Sequence, residues 1–189
     1  MSTWITSPRP YTRLVGRTHL GGSGISYVGP LLAVVMGIVH AAIAPVIVVG
    51  GVKPNLVLIA VVLVTAFGGL LPGITWAFVA GLTANLLVGD PLGSVPLAML
   101  VVAAMTAGGA RILGRVPLIY PVIAVFAGSV VADLLLIGLG RLIGDAVVTK
   151  LPGDIILAAA VLNAVICAVV VVPTRAVAAR YTMDEAGGW

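Results

Sequence analysis

Charge is sparse in this sequence: only 8% of its 189 residues are charged, with Asp and Glu contributing 6 and Lys and Arg 10. Soluble domains carry roughly 25% charged residues, and with 61% hydrophobic residues this chain has too little polar surface to fold in water. Its solvent is expected to be lipid, which the mean hydropathy of +1.24 supports. Aromatic residues make up 5%. A single cysteine, Cys167, excludes a disulfide within the chain and any Cys-based zinc site. The two histidines, His19 and His40, are far apart, and no Ser, His and Asp set, paired carboxylates or phosphate-cradling glycine loop is present. The chain is therefore expected to be no enzyme and to carry no cofactor or metal.

Long apolar runs dominate what remains. Between Lys53 and Arg111 the only charge is Asp90, and the stretch is punctuated at Gly68 to Gly73 and at Gly89-Asp90-Pro91-Leu92-Gly93. One crossing needs roughly 20 apolar residues, so this region predicts three crossings joined by two turns. In hydrocarbon every backbone polar group must be paired internally, which leaves helices or a closed barrel. Runs such as Leu56 to Val64 and Val165 to Val172 lack the alternation of barrel strands. The fold class that follows is all-α: a polytopic integral membrane protein with six transmembrane helices.

Residues 1–26 are polar and basic, with Pro8, Pro10 and Gly21-Gly22-Ser23-Gly24, and read as a flexible cytoplasmic tail. Ala42-Ile43-Ala44 has the form of a signal cleavage site, but the apolar run before it is too long for a signal peptide and Pro45 follows it. Residues 27–176 form the six-helix domain. Its helices are expected at about Val28 to Val49, Pro54 to Phe67, Gly73 to Val88, Asp90 to the basic pair Arg111 and Arg115, Pro117 to Leu142 and Ile155 to Pro173. Residues 177–189 are expected to be a cytoplasmic tail. With six crossings, Arg9, Arg13, Arg17, Arg111, Arg115, Arg175 and Arg180 share one side, and Lys53, Arg141 and Lys150 the other. That bias predicts both termini in the cytoplasm. The net charge of +4 is thereby explained by the membrane surface, without nucleic acid.

Helices in lipid gain little from hydrophobicity when they meet and rely on small residues for close approach. Two ladders of four-residue spacing stand out: Gly29, Ala33, Gly37, Ala41 and Pro45, and Gly73, Ala77, Gly81, Asn85 and Gly89. Each is a stripe for helix packing, whether the other helix belongs to this chain or to a partner. Shorter versions occur at Ala124, Gly128, Ala132 and at Ala160, Ala164, Ala168.

Polar side chains at membrane depth are expensive and point to function. In the orientation above, His40, Asn85 and Asp133 all fall in the outer half, where they either form a shared polar pocket or are satisfied singly. Asn163 reads as interhelical glue.

Lys53-Pro54-Asn55-Leu56 at a helix start, followed by Gly81-Leu82, Asn85, Asp90 and Pro91-Leu92-Gly93, resembles the rod shape-determining protein MreD family. That family has a Pro-Asp-Leu start to its second helix, then Gly-Leu, an Asp and a Pro-Leu-Gly turn. Here Asn55 and Asn85 stand at its acidic positions. The resemblance covers about a third of the chain. It implies a non-enzymatic scaffold subunit of the bacterial cell-wall elongation machinery, multi-pass in the inner (cytoplasmic) membrane and helping to regulate peptidoglycan synthesis. The implied partner is an MreC-like single-pass protein, with an MreB-like cytoskeleton and peptidoglycan synthases reached indirectly. The family is also similar to the S components of energy-coupling-factor vitamin transporters. That similarity supplies the alternative: a vitamin-binding subunit with His40, Asn85 and Asp133 lining its pocket.

Overall fold

The computed structural model describes residues 27–89, 91–114, 119–143 and 153–186. The expectations for the 1–26 tail, Asp90, Arg115, Pro117 and Lys150 lie outside the described residues. Within them the chain is all-helical, with α1 Val28–Ile43, α2 Leu56–Gly68, α3 Leu70–Val88, α4 Ser94–Leu113, α5 Tyr120–Ile143 and α6 Gly153–Ala186.

Several boundaries shift from the sequence reading, each for a local reason. The first helix stops at Ile43 instead of near Val49, because Pro45 supplies no N–H to continue it. Val46 to Val49 are as apolar as the helix before them but lie outside it and are exposed. Gly50 and Gly51, both at positive φ, make a two-residue turn closed by paired hydrogen bonds between Val49 and Val52. Gly69 alone separates α2 from α3, so Pro72 falls in the first turn of α3, where its missing N–H costs nothing. In α6 the helical backbone continues through Pro173 to Ala186, past the boundary expected at residue 177.

The core is organised around α2. Val57, Leu58, Ile59, Val61, Val62 and Thr65 are buried, and Leu56, Ala60, Leu63, Val64 and Ala66 on the remaining side are half-buried. A helix apolar on all sides is an interior helix. The others surround it in the order α1, α3, α4, α5, α6, each touching its neighbour in that order and each touching α2. Among the described residues α1 and α6 do not touch, and the ring is open between them.

Small residues set the close contacts. A methyl group added at Gly81 would lie 2.9 Å from Cα of Pro96 in α4, and one at Gly37 would lie 2.7 Å from Cβ of Thr83 in α3. Gly73 packs against Thr65 of α2. Ala33 and Ala77 are fully buried, while Gly29 and Ala41 are half-buried. The α3 stripe therefore packs within the chain. Hydroxyls are absorbed locally: Thr65, Thr83 and Thr106 each donate to the carbonyl four residues back.

Four helices, α3, α4, α5 and α6, are long and apolar enough to cross a membrane. α1 and α2, with 16 and 13 residues, extend about 24 and 20 Å at about 1.5 Å per residue, short of the roughly 30 Å hydrocarbon core. A short helix is tolerated at membrane depth when protein surrounds it, as α2 is surrounded.

Candidate functional site

A network of polar groups from three helices gathers where α2 begins. Oδ1 of Asn55 accepts the N–H of Leu58 at 3.0 Å and caps α2. The backbone N–H of Asn55 itself donates to Oδ1 of Asn163 in α6 at 2.7 Å. Nδ2 of Asn163 donates to Oγ of Ser129 in α5 at 2.9 Å. Asn163 and Ser129 are both buried. Asn163 thus ties three helices together, which is the interhelical role expected of it. Its position, ten residues into α6, also puts the start of α2 about 15 Å of helix rise below the end of the α5 and α6 hairpin.

Beside this network lies a cavity of about 210 Å³, lined among others by His40, Lys53, Pro54, Asn55, Asp133 and Asn163. The walls come from α1, the start of α2, the end of α3, α5 and α6, so the cavity sits where the ring of helices is open. Lys53 and Asp133 both line it, and among the described residues neither makes a hydrogen bond or an ion pair with protein. Asp133 is half-buried and Lys53 exposed. Nδ1 of His40 is sealed from solvent.

Of the three outer-half residues singled out in the sequence, His40 and Asp133 share this cavity and Asn85 does not line it. Asn85 is buried in α3, where its Oδ1 accepts the N–H of Gly93 at 2.7 Å and braces the turn into α4. It is an element of fold, together with Pro91 and Gly93, which lie in that turn. Pro54 is fully buried against the cavity. Sequence reasoning gave Lys53 and Asn55 only an interface and a helix start, and missed them as cavity residues. The available signal was their adjacency to Pro54, which places a charge and an amide at the mouth of a helix.

At the opposite end of the bundle Tyr120 donates its hydroxyl to the carbonyl of Thr106, joining α5 to α4. An apolar groove of about 380 Å³ lies there between the starts of α1 and α3, lined by Gly29, Pro30, Leu71, Pro72 and Trp76 among others. Among the described residues no three His, Cys, Asp or Glu side chains gather as a metal site would require.

Fold and composition define a class, the all-helical membrane proteins, through four spanning-length helices packed with a short central one. No family model, no curated protein and no solved structure matches the chain.

Proposed function

We propose that this chain is a non-enzymatic scaffold subunit of a bacterial inner membrane, of the MreD kind. It crosses the bilayer six times with both termini in the cytoplasm and holds a single-pass, MreC-like partner. The observation that carries the reading is the open seam between α1 and α6. A bundle that closes on five sides of its central helix and leaves the sixth open offers a place for one more helix. Packing there would extend the interactions that already hold the ring, small residues against apolar side chains in lipid. The α3 stripe is spent on α2 and α4 and is not offered to a partner. The positive-inside count supports the orientation, and α2, though short, counts as a crossing because protein encloses it.

The alternative, a vitamin-binding S component, is less well supported. Pockets for drug-sized ligands occupy about 300 to 1,000 Å³, whereas the polar cavity has about 210 Å³. The larger groove is apolar and lies at the other end of α3, away from His40 and Asp133.

Co-expression with a single-pass, MreC-like membrane protein and purification through a tag on either chain tests the scaffold. A stoichiometric complex that survives detergent is expected. Failure to co-purify, together with a vitamin-sized molecule bound to the chain alone, would move the assignment to the S component.

A further inference from the structure

We propose that the cavity between α1, α5 and α6 binds a small zwitterion, its primary ammonium on Asp133 and its anionic group on Lys53 and the amide of Asn55. The inference rests on the membrane setting of the bundle and not on the scaffold assignment.

The chemistry of the lining leads there by counting donors and acceptors. Asp133 presents a carboxylate that no described group satisfies. At this depth an ionised carboxyl without a partner is costly, and a cation in the cavity removes the cost. Lys53 presents an ammonium that does not pair with Asp133, although both line the same space. Oδ1 of Asn55 is committed to Leu58, so its Nδ2 donors remain for the cavity. Oδ1 of Asn163 is committed to Asn55 and one Nδ2 hydrogen to Ser129, leaving one donor. Besides the imidazole of His40 on the α1 wall, the cavity therefore offers one anionic acceptor and a separate group of donors around a cation. A simple cation would leave Lys53 and the amides unmatched, and a simple anion would leave Asp133 so. A molecule carrying both charges a few bonds apart matches both ends.

Size agrees. The cavity of about 210 Å³ has room for one ethanolamine phosphate group. In the chain without a partner helix, the opening between α1 and α6 lets a lipid headgroup enter sideways with its chains left in the bilayer. Free phosphoethanolamine would enter from water past Lys53. The two sources share the same recognition chemistry, and the choice of probe separates them.

The test uses the full chain, delipidated and returned to nanodiscs or detergent, with native mass spectrometry as the readout. Phosphatidylethanolamine, phosphatidylcholine and phosphoethanolamine are the three probes. Phosphatidylethanolamine retained one per chain, with phosphatidylcholine bound about ten-fold more weakly or worse, supports a lipid source, because trimethylation removes the N–H donors that Asp133 needs. Phosphoethanolamine retained without the lipid supports the same site with a soluble ligand. Equal retention of phosphatidylcholine and phosphatidylethanolamine, or retention of no probe, overturns the proposal. Asp133→Asn is expected to lose the preferred probe by about ten-fold with Lys53→Gln losing it less. The headgroup comparison on the unmodified chain stands even where a variant fails to fold. Since none of this involves a protein partner, its failure leaves the scaffold reading untouched.

Discussion

Asn55 and Asn163, 108 residues apart in the chain, are joined at 2.7 Å by the backbone N–H of one and the side-chain oxygen of the other. That bond fixes where the central helix begins, because it supplies an acceptor for one of the N–H groups a helix start leaves over. Asn163→Ala removes the acceptor and strands the donor in the interior, a loss of about 1 to 3 kcal/mol. Ser129→Ala removes only the second bond and is expected to cost about 0.5 to 1.5 kcal/mol. Thermal melting in detergent checks both, and an Asn163→Ala protein as stable as the parent would mean that α2 is anchored elsewhere.

Gly81 and Gly108 make a matched pair of tests. An added methyl group at Gly81 meets backbone atoms of Pro96, which cannot rotate away, while nothing lies within 4 Å of one at Gly108. Gly81→Ala should therefore destabilise the bundle by about 1 to 3 kcal/mol through overpacking. Gly108→Ala should cost nothing. Equal melting temperatures for the two variants would contradict the α3 and α4 packing described above.

At the other end of the bundle, Tyr120→Phe keeps the ring and removes the bond to the Thr106 carbonyl. A loss of about 0.5 to 1.5 kcal/mol is expected. Gly109→Ala should perturb the same contact, since the new methyl group would lie 2.6 Å from the Tyr120 hydroxyl. In the Tyr120→Phe background its effect should shrink, which a double-mutant cycle of melting measurements will show.

Asp133 is expected to behave unlike a structural polar residue. It makes no hydrogen bond to the described protein, so Asp133→Leu in the delipidated chain should melt no lower than the parent, with the cost of burying a carboxyl removed. A drop of about 2 kcal/mol or more would show that the carboxyl has a protein partner.

The residues differ in how much of this was legible in the sequence. Apolar runs bounded by Gly, Pro and basic residues were enough to place six helices and to read Asn163 as a bridge between them. The end of α1 was not legible, because Val46 to Val49 are as hydrophobic as the helix and only Pro45 marks the stop. Nor was the pairing of polar residues, since distance along a helix gives depth but not the direction a side chain faces. Asn85 lies at a depth that fits His40 and Asp133 yet braces the turn at Gly93. Asn55 joins Asn163 through its backbone N–H, a donor every residue but proline has and no residue type reveals.

Membrane orientation can be read from single cysteines in a Cys167→Ala background, at Val46→Cys, Leu92→Cys and Ile119→Cys, all exposed positions. With both termini in the cytoplasm, an impermeant thiol reagent added to intact cells should label the first two and spare the third. Labelling of Ile119→Cys alone would invert the bundle.

The central claim, that the open side of the ring receives a partner helix, is tested most directly by photo-crosslinking in cells. A photoreactive residue is placed in turn at exposed positions of α1, such as Leu31, Val35 and Ile38, and of α6, such as Leu157, Val161 and Val165. Leu97 and Met105 of α4, also exposed, serve as controls on a helix away from the opening. The account predicts that a subset of positions on both α1 and α6 crosslinks to one single-pass membrane protein with a large extracytoplasmic part, identified by mass spectrometry, and that the α4 positions do not. Crosslinks to that protein from α4 but from neither α1 nor α6, or none from any position while it is co-expressed, would contradict it.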